Sequence, residues 1–155
     1  MVPHLQVWLC HQGEALEISL QHAGGARFIA AARGHRIVLD QPAEDGATNQ
    51  GMSPAELLLA SLGGCLGQYA AQYLSLRGLS LEGLTVRVAA QPAARPLRLR
   101  DFTVEVVAPG LSERQLRALE KSFPAGLVQN AIRFENVVQL TARSGRAEKP
   151  SKKTS

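Results

Sequence analysis

Residues 53–77 are the stretch that most limits what this chain can fold into. Ser53 is a good helix N-cap, Pro54 suits the first helical position, and Glu56 completes a Ser-x-x-Glu capping box. The helical pattern then continues to about Arg77, where Gly78 stops it. Leu58, Leu62, Cys65, Tyr69, Tyr73 and Leu76 share one stripe, and Leu57, Leu59, Ala60, Leu66, Ala70 and Ala71 cover much of the rest. A helix that is apolar on most sides is buried on most sides. In a chain of 155 residues, this calls for a central helix enclosed by a sheet and by a second subunit. The most apolar part, residues 55–66, contains Glu56, Ser61 and two glycines. It falls short of the roughly 18–20 apolar residues of a membrane span, so no membrane partner is expected.

The flanks of this helix read mainly as strands. Leu5, Val7 and Leu9 alternate with polar neighbours, as do Leu16, Ile18 and Leu20. Residues 26–32 and 35–40 follow, separated by Arg33-Gly34, and Gly13-Glu14 and Gly24-Gly25 mark further hairpin-type turns. Residues 41–52 form a polar loop. Beyond the helix, strands are expected at 84–90 and 100–108, with two prolines in the intervening 91–96. Ser112 and Gln115 form a second capping box, with Leu111 and Leu116 placed as a hydrophobic staple. That helix uses Leu116, Leu119 and Phe123; a helical turn or two at 127–133 and a last strand at 137–142 complete the chain. The class is α+β, with one domain over residues 1–143 and a basic, disordered tail over 144–155.

Charge excludes less than it first suggests. Of the net charge of +4, three units lie in the tail, where Arg146, Lys149, Lys152 and Lys153 face only Glu148. A solvated end explains them better than nucleic-acid contact, which is the weakest of the readings. No charged segment leads into an apolar one at the N-terminus. The four histidines lack zinc-ligand spacing, so neither metal nor cofactor is expected. Two cysteines without a Cys-x-x-Cys pair fit reduced thiols in the cytoplasm.

Cys65, within Gly63-Gly64-Cys65-Leu66-Gly67, is the one obvious reactive candidate. A thiol with the free pKa of about 8.5 is only roughly 3% thiolate at pH 7, so a nucleophile needs a cation, hydrogen-bond donors or a helix N-terminus. The cap at Ser53 is twelve residues away, roughly 18 Å along an unbroken helix, too far for its dipole. Either Gly63-Gly64 breaks the helix and exposes fresh N–H groups, or an arginine arrives from elsewhere. The plainer alternative is a small core residue on an apolar stripe.

Residues 33–42, the loop to Gly51, and the run Ser53-Pro-Ala-Glu-Leu-Leu-Leu-Ala-Ser-Leu-Gly-Gly-Cys65 resemble the OsmC and organic hydroperoxide resistance superfamily. The resemblance implies an intertwined homodimer, its antiparallel sheets wrapped around paired central helices and its sites at the subunit interface. It also implies thiol-dependent reduction of organic hydroperoxides or hydrogen peroxide. A first cysteine becomes a sulfenic acid, a second cysteine resolves it, and an external thiol resets the pair. Cys65 matches the first cysteine. Arg27, after Gly24-Gly25, is similar in context to the arginine that steadies the thiolate, with Arg33 and Arg36 as competitors and an exposed strand-end charge as the plain alternative. The glutamate that orients this arginine in relatives is replaced by Ala55, and Glu56 is assigned to the cap. The second cysteine is replaced by Gly126 or, on another match, by Phe123; Cys10 is read as structural.

Two readings follow from this. One is a stress-response peroxidase with a single working cysteine that takes a small hydroperoxide and an external thiol reductant. The other is a non-catalytic dimer of the same fold that binds a small hydrophobic ligand.

Overall fold

The computed structural model of the chain describes residues 15–123, 126–133 and 138–139. The expected first strand, Cys10, most of the expected last strand at 137–142 and the basic tail lie outside these residues. Three short antiparallel strands come first: β1 (Ser19–His22), β2 (Phe28–Ala32) and β3 (His35–Leu39), in the order β1-β2-β3. Arg33 and Gly34 both have positive φ, 50° and 83°, the backbone that a two-residue hairpin with the sheet's own twist needs. After a loop with one 3-10 turn at Ala43–Asp45, the helix α1 runs over Pro54–Ser75. The hairpin of β4 (Thr85–Ala94) and β5 (Leu97–Val107) forms a second antiparallel sheet, and α2 (Glu113–Ser122) and α3 (Leu127–Arg133) follow.

Both capping boxes form. Ser53 Oγ accepts from the Glu56 N–H, and Glu56 Oε2 accepts from the Ser53 N–H at 2.7 Å. Ser112 and Gln115 repeat the arrangement at α2. The helix α1 ends two residues before the expected Arg77, and Gly78, at φ 63°, turns the chain away while the Leu79 N–H returns to the Leu74 carbonyl. β4 is longer than expected. Pro92 does not end it, because a two-stranded sheet has only edge strands, where a proline's missing N–H costs little. A register shift between Ala89 and Gln91 absorbs the irregularity.

One face of α1 lies on this hairpin. Val86 and Val88 point toward the helix, and a Cβ built on Gly63 would come 2.9 Å from Val88 Cγ2, so glycine permits the close approach. Beyond it, Ala70, Tyr73, Leu74, Ala108 and Leu119 form the buried cluster that joins α1 to β5's end and α2. The opposite flank of α1, with Ser61 and Gln68, is exposed. The described residues therefore cover only part of the helix. The first sheet is also incompletely covered. Leu20, Ala30 and Ile37 are paired across it and so share one face, yet Leu20 is 51% and Ile37 50% exposed.

The loop between β3 and α1 is built around Asp40, which is 1% exposed. Its carboxylate accepts from the Thr48 hydroxyl, the Gln50 N–H at 3.0 Å and the Gln41 N–H at 2.8 Å. The Thr48 and Gln50 bonds lead in holding its pKa below the usual aspartate value, against the opposing effect of burial. A depressed folded-state pKa gives stability that is present above the unfolded value of about 3.9 and is lost as pH falls through the folded value. The melting temperature of the protein is therefore expected to drop below about pH 4. Asp40→Asn is expected to lower it at pH 7 and to flatten that acid limb, both readable by circular dichroism. An unchanged acid limb in the variant would mean that other carboxylates set it.

Candidate functional site around Cys65

Cys65 lies midway along α1 and is half-buried; it is the free cysteine among the described residues. The helix continues unbroken through Gly63-Gly64, which removes the first of the two alternatives, a break there. The pair serves packing instead. Gly63 presses on β4, and a Cβ on Gly64 would meet nothing within 4 Å. No break in α1 exposes fresh N–H groups beside the thiol, and the N-terminus of α1 itself lies too far away to act on it.

Two of the described residues near Cys65 bear on its chemistry. The first is Gly126, just before α3 and buried. A Cβ at this position would lie 3.3 Å from Cys65 Sγ, 3.2 Å from Tyr69 Cε2 and 3.7 Å from Tyr69 Oη. The geometry decides between the two positions raised by the sequence: Gly126 adjoins the thiol, whereas Phe123 packs against the Ala70–Leu74–Leu119 cluster. The second is Tyr69, which is 8% exposed. Burial first, and then the charge on Cys65, hold its phenol above the ordinary tyrosine pKa. The sequence reading counted Tyr69 only as part of the apolar stripe. Its i+4 spacing from Cys65 was the available signal, because residues four apart on a helix share a face.

Arg27 is held elsewhere within the chain. Its Nη2 donates to the Ala23 carbonyl at 3.0 Å and its Nη1 to Gln50 Oε1, while its Nε is buried with no partner among the described residues. The bonds of its guanidinium thus go to the Gly24-Gly25 turn and to the Asp40 loop, and none goes to Cys65. Arg33 sits exposed in its turn, and Arg36 is exposed on β3. Ala55 is exposed in the first turn of α1, beside the capping Glu56. A separate open groove of about 430 Å³ runs between α1 and β4, lined by Leu59, Ala60, Gly64, Gly67, Val86 and Val88. Among the described residues, no three His, Cys, Asp or Glu side chains are grouped to hold a metal ion, and no helix is long and apolar enough to cross a membrane.

This arrangement of sheets and helices recurs in solved structures. A Psychrobacter arcticus protein provisionally named an osmotic stress induced and detoxification response protein superposes with a TM-score of 0.67 at 18% identity, over 78% of this chain and 90% of that one. An OsmC like protein from Mycoplasma pneumoniae gives 0.61 at 18% identity, over 78% and 89%. An organic hydroperoxide resistance protein OsmC from Legionella pneumophila gives 0.55 at 20% identity, over 77% and 91%. At such identities the likeness is one of fold. No curated protein sequence matches the chain. The family model for OsmC-like proteins, however, matches residues 47–141, from the Asp40 loop through the whole of α1 and the second sheet to beyond α3. The chain belongs to the OsmC-like protein family.

Proposed function

We propose that this protein is a thiol-dependent reductase of organic hydroperoxides that works as a homodimer with one peroxidatic cysteine. The observation that carries the reading is the setting of Cys65. A half-exposed thiol lies against a position, Gly126, that has no side chain to cap it or resolve it. A sulfenic acid formed there has no protein thiol at 126 to meet it, and on this reading a small external thiol resolves it. The fold shared with a Legionella organic hydroperoxide resistance protein supports the same chemistry. A thiol reductant fits a reducing compartment, the cytoplasm.

The uncovered flank of α1 and the apolar face around Leu20 and Ile37 support a second copy of the chain as the partner. Sedimentation equilibrium at micromolar protein is expected to give about twice 16.6 kDa; a stable folded monomer would count against the homodimer. The cation that a thiolate nucleophile needs then arrives across that interface, and Arg27 is the candidate. Arg27→Ala is expected to slow the peroxide step, and Arg36→Ala to leave it unchanged.

The experiment is direct. Cumene hydroperoxide should oxidise Cys65 faster than free cysteine and give a sulfenic acid that a dimedone probe traps. Cys65→Ser should abolish turnover with added thiols, and Cys10→Ser should not. If wild-type Cys65 reacts no faster than free cysteine, the reductase reading fails. The second reading, a non-catalytic dimer binding a small hydrophobic ligand, then takes its place; the apolar groove between α1 and β4 is what favours it.

A further inference from the structure

We infer that Tyr69 is the proton donor to the departing oxygen when the Cys65 sulfur cleaves a hydroperoxide, an inference that rests on the peroxidatic reading of Cys65. Tyr69 follows Cys65 by one helical turn, and both approach the same point beside Gly126. A Cβ at that point would lie 3.3 Å from Sγ and 3.7 Å from Oη, so no more than about 7 Å separates the two atoms. An attacking sulfur needs its target oxygen about 3–3.5 Å away, and an O–H donor reaches about 2.7–2.8 Å. Within that limit, thiol and phenol can both reach the two oxygens of one peroxide.

The second observation is the state of the phenol itself. Tyr69 is more than nine-tenths buried, and its hydroxyl ends beside the point that Cys65 Sγ also reaches. A hydroxyl that ends beside the same point as the reactive sulfur is placed to meet an oxygen of the substrate. The raised phenol pKa keeps the proton on the oxygen at neutral pH. Within the same chain, Glu56 is held by its cap, and Arg27 bonds to Ala23 and Gln50 rather than to this site.

The step balances. The thiolate sulfur attacks the terminal oxygen of R–O–O–H, the S–O bond forms and the O–O bond breaks. Sulfur is oxidised by two electrons to the sulfenic acid, the peroxide is reduced, and the electron pair leaves on the alkoxide. Tyr69 gives its proton to that alkoxide, the product departs as the alcohol, and water returns a proton to the tyrosinate. A phenol is a far stronger acid than an alcohol, so the transfer runs downhill.

A comparison of leaving groups tests this. Tyr69→Phe keeps the ring and removes one oxygen. It is expected to slow the reaction of Cys65 with tert-butyl hydroperoxide by about 10²-fold, the usual scale of general-acid assistance. With peracetic acid the leaving carboxylate needs no proton, so the rate should stay within about threefold of wild type. Alkylation by iodoacetamide, whose iodide leaves unprotonated, should also be unchanged. Because the comparison is made within one variant, partial misfolding would depress all three reactions together. Equal losses with both oxidants, or no loss with tert-butyl hydroperoxide, would overturn the assignment. Tyr69→Leu, which also fills the site without a hydroxyl, should reproduce the selective loss. Wild type no faster than free cysteine would remove the reductase reading, and this role with it; an active wild type with an equally active Tyr69→Phe variant would remove this role alone.

Discussion

Gly126→Cys is expected to change the fate of oxidised Cys65 almost completely. In the native chain, excess peroxide without external thiol should carry Cys65 past the sulfenic acid to the sulfinic acid, because no thiol at 126 intercepts the first product. A Cβ at 126 sits 3.3 Å from Sγ, and in a disulfide a Cβ lies about 3 Å from the far sulfur. The backbone is therefore already placed for a Cys65–126 bridge, with Tyr69 yielding a few tenths of an ångström. Under one equivalent of peroxide, intact-mass measurement should show loss of two hydrogens in the variant, where wild type gains one oxygen. Under excess peroxide, the variant should form the disulfide and wild type the sulfinate. If the variant is also driven to the sulfinic acid without a disulfide, Gly126 does not stand in the resolving position.

The second large effect is on stability. A Cβ built on Gly51 would come 2.2 Å from the Val38 carbonyl oxygen and 2.7 Å from its carbon. Both atoms are backbone, so no rotamer change relieves the clash. Gly51 lies where the loop returns to β3, beside the Leu39–Met52 bridge and the bond from the Asp40 N–H to the Met52 carbonyl. Gly51→Ala must push that return strand off β3, at a cost of about 3 kcal/mol or more. For a chain of this size, this corresponds to a fall in melting temperature of roughly 6–12 °C. Peroxide turnover should fall with it, since Gln50, the neighbour of Gly51, holds Arg27. A melting temperature within two or three degrees of wild type (about 1 kcal/mol) would show that the loop adapts.

Much of this fold was legible because its signals are local. The Ser53 and Ser112 caps, the Arg33-Gly34 turn and the length of α1 each depend on residues within a few positions of one another. The continuation of β4 through Pro92 was not legible. It depends on β4 having one partner strand, which is a tertiary fact. The site divides in the same way. Cys65 is visible in its motif, and Tyr69 shares its helix face by spacing alone. That Gly126, rather than Phe123, adjoins the thiol depends on how α3 comes back to α1 across more than sixty residues, and no local pattern encodes that. The three hydrogen bonds that bury Asp40 were likewise hidden in what read as a polar loop.

The uncovered apolar face around Leu20 and Ile37 carries a thermodynamic consequence. Where a second copy supplies the missing burial, unfolding is also dissociation, and one native molecule yields two unfolded chains. Mass action then makes the melting temperature a function of how much protein is in the tube: each tenfold dilution removes about 1.4 kcal/mol per mole of dimer. Melting curves recorded across a hundredfold range should separate in order of concentration, whereas those of a self-sufficient monomer would superimpose. The same linkage would set a floor on the amount of this protein that remains folded in a dilute solution.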